Sequence, residues 1–556
     1  MIGTARLVAV LLVASALASW ASSTPSPVAA DAPPAAFSAL RARADLTWIA
    51  SAPHPTGSTE NVRVRDRLIA RLAELGLTSE IHRVENVDRY RDDVVIGNAT
   101  IENVIARVPG RDPTLPPLLL MCHYDSAPES PGAADDGAGV ATVLEIARIA
   151  RSASPRQRDL LLLFSDGEEL GMLGAAMFFK HHPLAKNIAA AVNLEARGGS
   201  GRAYLFETGV HSDGLVRAFA ASKRGISSAS FATFVYDHMP NGTDFTMAKH
   251  FGIPGFNFAF IADPSQYHTT LATPDALDLG SLQDMGDQAL ASVLCLDAQR
   301  SFDAPDGGLA WSDLLGHRLI VYGPLGGWFL IALTVALLGV AWVRLSQRPE
   351  GARLGAALRG AAFALLLLVV AAIALFATFP AAMMPGARAS RLRLHLPSTR
   401  FELALFVLSI GVSVVVARLT RPKAAADEDA VWIGLLGFGA CLTIALQAFA
   451  FRLAPPLAWP LLATAIGTLS VRSTALVRAV CSSATATFAL ALTLSWAHMV
   501  YLGTGISLPP TMTIFVLIAS FAAYPLFVDA GRAGWRSGFL LVGVGLALAL
   551  SVRLAV

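Results

Sequence analysis

The second half of this chain consists largely of long apolar segments that have the length of membrane spans. Eight of them follow one another, at residues 320–343, 361–379, 401–417, 431–451, 459–471, 479–500, 512–528 and 539–556. A helix needs about 20 apolar residues to cross a hydrocarbon core of about 30 Å, and most of these segments approach or reach that length. We therefore predict an all-α transmembrane domain of about eight helices over residues 319–556.

A shorter apolar segment lies at the N-terminus, where residues 7–21 follow Arg6. Its length lies between that of a signal-peptide core and that of a full span, so residues 1–22 are predicted to be a signal peptide or a signal anchor. A linker rich in Pro, Ala and Ser follows at residues 23–36. Both alternatives carry the next domain across the membrane.

The basic residues between the apolar segments indicate an orientation. With the N-terminus inside, the basic loops near residues 344–353, 418–423, 472–478 and 532–536 also lie inside, as the positive-inside rule requires. The arginines between residues 388 and 400 disagree with this arrangement. We expect an integral membrane protein whose domain at residues 37–304 is extracytoplasmic, in the periplasm of a bacterium or in the lumen of a eukaryotic compartment.

Residues 37–304 alternate between helical and strand patterns, and residues 305–318 form a juxtamembrane connection. Short apolar strands are predicted at residues 118–121, 159–164, 189–194 and 255–261, with helices at 62–75 and 139–150. This order predicts an α/β fold with a mostly parallel mixed sheet covered by helices on both faces. Ligands of such sheets bind at the carboxyl ends of the strands.

Composition excludes several classes of function. The net charge of +2 and the lack of a basic stripe with interleaved aromatic residues argue against a nucleic-acid partner. The four cysteines are scattered and form neither a disulfide framework nor a zinc-finger spacing. A bound metal must therefore be held by histidines and carboxylates.

Five short motifs follow predicted strands or begin predicted turns, and each contains a histidine or a carboxylate. They centre on His123, on the pairs Asp135-Asp136 and Glu168-Glu169, on Glu195 and on Tyr267-His268. Each motif alone has an ordinary structural explanation, such as a helix cap or a buried histidine. Together they contain the donors that two divalent ions need when no thiolates are available.

The order of these motifs resembles metallopeptidase family 28, a family of exopeptidases with two co-catalytic zinc ions. The matching patterns are H-x-D-S, P-G-A-x-D-D-x-x-G, D-G-E-E-x-G-x-x-G, N-x-E and Y-H-T, within residues 118–279. The apolar C-terminal half resembles the membrane-bound branch of that family. The resemblance implies a zinc exopeptidase fold, a peptide substrate and contact with membrane lipid, and it leaves the oligomeric state open.

The resemblance also implies a ligand set for two Zn²⁺ ions. Asp135 bridges the ions, His123 and Glu195 complete one site, and Glu169 and His268 complete the other. Many secreted members have Asp where this chain has Glu195, but a glutamate still offers a carboxylate, so we expect metal binding to be kept.

Further residues receive roles from the same resemblance. Glu168 is the general base that deprotonates a metal-bridging water, and Tyr267 matches a residue that donates a hydrogen bond to the oxyanion in some members. Asp125 and Asp136 support the ligands, with Asp125 orienting a ligand histidine. Arg197 is a candidate for binding a substrate carboxylate or for a structural ion pair.

Several functions stay open at this point. The main expectation is a membrane-anchored zinc exopeptidase, in particular an aminopeptidase. The alternatives are a carboxypeptidase or dipeptidase of the same family, a metal-free binding domain on a transporter or receptor, and a one-zinc cyclase related to this fold. Asp244 is interpreted as a turn or cap residue.

Overall fold

The computed structural model describes residues 2–91, 94–152, 156–223, 225–239, 241–302, 308–348, 353–378, 398–422, 424, 427–504, 509–529 and 533–554. The chain divides into two compact units. One comprises Ser23–Gly307 with Gly316–Val321, and the other comprises Met1–Ser22, Gly308–Leu315 and Tyr322–Val556.

The first unit alternates strands and helices. In chain order its elements are α2 (Ala39–Ile49), α3 (Thr59–Glu74), β1 (Ser79–Arg91), β2 (Val94–Val108), β3 (Leu118–His123), α4 (Gly139–Ser152), β4 (Leu160–Ser165), α5 (Leu173–His181), β5 (Ala190–Ala196), β6 (Tyr204–Thr208), α6 (Asp213–Ser222), β7 (Ser227–Ser228), α7 (Ser230–Tyr236), α8 (Asp244–His250), β8 (Gly255–Phe260) and α9 (Leu279–Asp297). The α1 helix (Ile2–Ala21) precedes them and belongs to the second unit.

The eight strands form one mixed sheet in the order β1-β2-β4-β3-β5-β8-β6-β7. Its centre is parallel, through the pairs β4/β3, β3/β5 and β5/β8. The pairs β1/β2, β2/β4 and β6/β8 are antiparallel. The prediction of a mostly parallel mixed sheet is therefore confirmed.

Helices cover both faces of this sheet. On one face, alternate residues of the central strands, such as Leu119, Met121 and Leu163, pack in a buried cluster with Phe178 of α5 and Phe245 of α8. On the other face, α4 and α9 contact the strands and α2 packs against both helices. Because side chains alternate along a strand, the continuous apolar runs of β3 and β4 supply both layers.

Local signals in the sequence account for the helix bounds. The predicted helix at residues 62–75 is α3, whose N-cap Ser58 accepts a hydrogen bond from the backbone N–H of Asn61. After α3 ends, Gly76 adopts a φ of 71°, a backbone conformation that suits glycine at a helix C-terminus.

The second unit consists mainly of apolar helices. After β9 (Ala310–Leu314) and β10 (Arg318–Tyr322), the chain forms α10 (Pro324–Ser346), α11 (Leu354–Phe376), α12 (Ser398–Leu419), α13 (Glu428–Phe449), α14 (Pro455–Thr468), α15 (Ala475–Thr504), α16 (Thr513–Asp529) and α17 (Ala533–Leu554). Every predicted apolar segment overlaps one of these helices. Among the described residues, α1, α10, α11, α12, α13 and α15 are long and apolar enough to cross a membrane.

The exact number of spans stays a prediction. The α14 helix has only 14 residues and contains Pro460, so at about 1.5 Å per residue it is shorter than a bilayer core. The arginines of the discordant loop, Arg388, Arg391 and Arg393, lie outside the described residues.

The α1 helix packs with one side against the other apolar helices. Leu7, Val10 and Ala14 belong to one buried cluster with residues of α14, α15 and α16. At its N-terminal end Arg6 forms an ion pair with Asp529 and donates hydrogen bonds to the hydroxyls of two serines of α15, Ser482 and Ser483. The helix is therefore buried along one side.

Candidate metal centre

The candidate site lies at the carboxyl edge of the parallel strands. His123 is the last residue of β3, Glu195 is near the end of β5, and the turn Ala133–Ala138 precedes α4. The loop after β4 carries Glu168, and β8 leads into the loop that carries His268. Because β4, β3, β5 and β8 are adjacent and parallel, these segments meet at one edge of the sheet.

The carboxylate of Asp135 lies between two histidines. Its Oδ1 is 3.1 Å from Nε2 of His123, and its Oδ2 is 3.0 Å from Nε2 of His268. Glu195 Oε2 lies 3.8 Å from Nε2 of His123, and Glu169 Oε1 lies 2.9 Å from Nε2 of His268. The five residues predicted as ligands therefore lie together.

These residues form two groups that share one member. His123, Asp135 and Glu195 offer ligand atoms that lie within 4.8 Å of one another, and so do Asp135, Glu169 and His268. Two imidazole nitrogens and three carboxylates are donors that suit Zn²⁺. Asp135 is the member that the two groups share.

The carboxylates of this cluster favour the positively charged forms of its two histidines. Burial opposes the charged form of His268, but hydrogen bonds to Asp135 and Glu169 raise its pKa to about 9. Burial likewise opposes the charged form of His123, but Asp125 and Asp135 raise its pKa well above the usual value. Protons on the imidazoles balance the carboxylates here, and divalent cations between the same atoms would balance them in their place.

The pKa values of the neighbouring carboxyl groups are shifted because these groups are buried close together. Burial raises the pKa of Glu195 well above its usual value, against an opposing contribution from His123. Burial also raises the pKa of Glu169. Burial acts on Asp135 in the same sense, but hydrogen bonds from His123 and His268 keep the pKa of this carboxyl below its usual range. The donor set thus fits a metal, because a cation would remove the cost of placing these charges together.

Asp125 connects the first histidine to the loop after β4. Nδ1 of His123 lies 2.9 Å from the main-chain oxygen of Asp125 and 3.4 Å from its carboxylate. The same carboxylate accepts hydrogen bonds from the backbone N–H groups of Glu168 and Glu169, at 3.1 and 3.2 Å, and from the hydroxyl of Thr56. Asp125 therefore positions both the histidine and the loop.

Asp136 supports the turn and lies outside both candidate groups. Its Oδ1 accepts a hydrogen bond from the backbone N–H of Gly139, the first residue of α4. A Cβ at Gly139 would lie 2.2 Å from this carboxylate, so the close approach requires glycine. Burial, with a further contribution from Asp135, raises the pKa of Asp136 well above its usual value.

Glu168 is partly exposed at the edge of the cluster. Burial raises the pKa of its carboxyl group well above the usual value, with His123 acting in the opposite sense and Glu195 in the same sense. Such a group holds a proton more readily than a carboxylate in water.

Tyr267 and Arg197 stand beside the second histidine. The Tyr267 ring stacks on His268 with centroids 3.8 Å apart, and the guanidinium of Arg197 lies 6.0 Å from the Tyr267 centroid. Burial, with Asp135 and Glu169, raises the pKa of the Tyr267 hydroxyl, so this hydroxyl keeps its proton. Arg197 is exposed.

A chain of buried polar side chains behind Glu195 was missed in the sequence. The amide of Asn193 donates to Glu195 Oε1 at 3.1 Å and to the Asn257 side-chain oxygen at 3.0 Å. Asn257 in turn donates to Glu207 at 2.9 Å, and Glu207 pairs with Lys249 at 3.4 Å. The sequence signal that could have indicated this chain is the presence of polar residues inside the apolar strands β6 and β8, because buried polar residues need hydrogen-bond partners.

The interpretation of Asp244 as a turn or cap residue needs correction. Thr243 caps α8, whereas Asp244 is the first residue of this helix and is fully buried. Its Oδ2 accepts a hydrogen bond from the hydroxyl of Ser165, and its Oδ1 has no hydrogen-bond partner among the described residues.

Comparison with known proteins finds one family model that matches part of the chain. Residues 103–293 match the model of Peptidase family M28. The chain is 31% identical over 337 residues to Endoplasmic reticulum metallopeptidase 1 of Mus musculus, which covers 56% of this chain and 37% of that protein. It is 30% identical over 313 residues to Vacuolar membrane protease of Eremothecium gossypii, covering 53% of this chain and 30% of that protein. The chain thus spans about a third of the length of these relatives.

Solved structures match slightly less than half of the chain at low sequence identity. An aminopeptidase from Aneurinibacillus sp. strain AM-1 matches with 15% identity and a TM-score of 0.38, covering 46% of this chain and 93% of that one. A glutaminyl cyclase of Porphyromonas gingivalis matches with 21% identity and a TM-score of 0.37, covering 46% of this chain and 98% of that one.

Proposed function

We propose that the peptidase family M28 domain of this chain is a zinc-dependent exopeptidase, with aminopeptidase activity as the main form of the proposal. The observation that carries it is the pair of ligand groups that share Asp135, His123 with Glu195 and Glu169 with His268. The presence of all five ligand residues argues against a metal-free binding domain. Its two-group form argues against a one-zinc cyclase.

The five ligands would hold two Zn²⁺ ions, one in each group. When bound, these ions would supply polarisation of the scissile carbonyl and a lowered pKa of water. The remaining steps depend on side chains of the chain itself.

Glu168 is suited to move a proton during peptide hydrolysis. Its raised pKa lets it take a proton from the attacking water and hold it until the leaving amine accepts it. The backbone of Glu168 is fixed by the hydrogen bond to Asp125, which keeps the base in position. Tyr267 keeps its hydroxyl proton and can donate a hydrogen bond to the developing oxyanion.

The charges around the site favour a free amino terminus in the substrate. Glu168 lies outside both ligand groups, so its carboxylate would remain available to attract a substrate ammonium group. One feature favours the alternative, a carboxypeptidase or dipeptidase: the exposed guanidinium of Arg197 beside Tyr267 matches a substrate carboxylate.

We further propose that this domain acts outside the cytoplasm. The basic loops of the apolar half support an orientation with the N-terminus inside, and α1 then carries the domain across the membrane.

The experiment that tests the proposal uses the full chain in detergent. Zinc per chain is measured together with hydrolysis of aminoacyl substrates and of N-blocked dipeptides. Two zinc ions per chain with cleavage of free-amine substrates alone is the expected result. Cleavage of blocked substrates alone would move the assignment to a carboxypeptidase, and a folded chain without zinc or turnover would overturn the proposal.

A further inference from the structure

The unit of apolar helices contains a cavity of about 120 Å³ that is independent of the metal centre. Its walls come from α1, α12, α15 and α16 and are mostly apolar, with Phe406, Leu494 and Phe515 among the lining residues. Glu402, His498 and Tyr501 also line the cavity. A largely apolar pocket with a few converging polar groups has the composition of a ligand site.

The two ionisable residues of the cavity form a close pair. Oε1 of Glu402 lies 2.6 Å from Nδ1 of His498, and the side chains are 31% and 34% exposed. Glu402 lies about 6 Å from the start of α12, and His498 lies about 9 Å from the end of α15, at 1.5 Å per residue. Ionisable side chains one or two turns inside a membrane helix are costly and usually functional.

The serine and threonine hydroxyls on the cavity wall already have hydrogen-bond partners, most of them carbonyls of the same helix, and Ser520 also donates to the hydroxyl of Ser413 at 3.0 Å. Ser409 donates to the carbonyl of Leu405 at 2.6 Å, Ser413 donates to that of Ser409 at 2.8 Å, and Thr493 donates to that of Ala489 at 2.7 Å. The wall below the Glu402–His498 pair therefore presents mainly hydrocarbon to a ligand. Recognition of a polar group is concentrated at that pair.

Charge decides which headgroup fits. No lysine or arginine lines the cavity among the residues that the structure describes. Glu402 is the one carboxylate among the described residues that line the cavity, and its partner there is a histidine. An anionic headgroup thus finds no lysine or arginine among these residues, whereas an ammonium group is attracted by Glu402.

We propose that this cavity binds a single-chain amphiphile with a primary ammonium headgroup. The ammonium group pairs with the Glu402 carboxylate, and the alkyl chain lies against Phe406 and Phe515. The helices of the second unit then form a ligand site as well as an anchor.

The test compares three photoreactive probes that differ only in the headgroup. Hexylamine, hexanol and hexanoic acid, each with a diazirine in the chain, are added to the full chain in phosphatidylcholine nanodiscs, and labelled peptides are identified by mass spectrometry. The amine should label peptides of α12, α15 and α16 more strongly than the alcohol or the acid. Glu402→Gln should reduce this labelling about tenfold, as expected for the loss of a charge-assisted hydrogen bond.

Two further variants make the result decisive. Glu428→Gln removes a carboxylate that pairs with Arg421 in the same unit, and it should leave amine labelling unchanged. Ala519→Phe fills the cavity and should abolish labelling. Equal labelling by amine and acid, or amine labelling that survives Glu402→Gln in a variant with an unchanged unfolding temperature, would overturn the proposal.

Discussion

At the level of single residues, Glu168 should separate catalysis from metal binding. Its carboxylate lies outside both ligand groups, so Glu168→Gln should leave zinc content unchanged. Loss of a general base lowers kcat by about 10²- to 10⁴-fold. Zinc analysis and steady-state kinetics of the variant measure both effects, and Glu129→Gln, at an exposed position, is the control. Normal turnover by Glu168→Gln would contradict the assignment of the base.

Asn257 should influence zinc through Glu195, although it touches no metal site directly. Asn257→Leu would leave Asn193 without one acceptor and would leave Glu207 with Lys249 but without the amide donor. Residues that orient ligands typically change metal affinity by about 10- to 100-fold. Competition with a chelator measures the zinc affinity. Glu207→Gln keeps a hydrogen-bond acceptor for Asn257 and should change the affinity much less. Equal affinities in both variants would show that the chain of amides is only structural.

Asp244 should make the zinc-free protein less stable as the pH rises. Burial, opposed by His123 and Ser165, raises the pKa of Asp244 from 3.8 to about 6. The folded state therefore holds this proton more tightly than the unfolded state, so stability is lost between about pH 4 and pH 6 and stays reduced above that range. From this difference in pKa, Asp244→Asn should increase the free energy of unfolding by about 3 kcal/mol at pH 7. At pH 4 the increase should be small.

The measurement for Asp244 is thermal unfolding with a chelator present, at pH 4 and at pH 7. Asp275→Asn is the matched control, because Asp275 is 90% exposed. A gain from Asp244→Asn of the same size at both pH values would contradict the linkage.

The sequence predicts the five candidate ligands and the supporting residues Asp125 and Asp136, but not the chain of polar side chains behind Glu195. His123, Asp135 and Glu195 stand in motifs at strand ends or turns, where the order along the chain indicates their meeting point. Asn257 and Glu207 lie within strands whose pairing, β6 beside β8, becomes known only from the tertiary structure. Their partners are distant in sequence, so no local pattern indicates them.

At the level of elements, the central strands of the sheet could be predicted from the sequence, whereas the β1/β2 pair at its edge could not. The strands β3, β4, β5 and β8 are continuous apolar runs, which is typical of buried parallel strands. The β1 strand has the sequence SEIHRVENVDRYR, in which charged residues outnumber apolar ones because much of an edge strand faces solvent. Hydrophobic periodicity therefore gives little indication of the β1/β2 pair.

The α1 helix should remain in the mature protein. Its buried side packs with Ala486, Leu490 and Leu526, and Arg6 pairs with Asp529. Cleavage after residue 22 would expose that apolar surface and leave Asp529 without this partner. Intact-mass analysis of the protein extracted from membranes should therefore include residues 2–21, and a mature chain that starts near residue 23 would show that the segment is a signal peptide.

At the level of the whole molecule, the two units should respond differently to zinc. All five candidate ligands belong to the unit Ser23–Gly307 with Gly316–Val321, and none belongs to the unit of apolar helices. A ligand that binds only the folded state stabilises it by about 2.7 kcal/mol at a hundredfold excess over Kd. Removal of zinc should therefore lower the unfolding temperature of the first unit only.

Calorimetry of the full chain, with and without a chelator, measures this difference. We expect two transitions, because proteins with more than one domain seldom unfold in one step, and the chelator should move one of them downward. His123→Ala should already have the lower transition and show little further response, whereas Glu168→Gln should respond like the unchanged protein. A chelator effect on both transitions would mean that the apolar helices also depend on the metal centre, which is not expected because all five candidate ligands lie in the first unit.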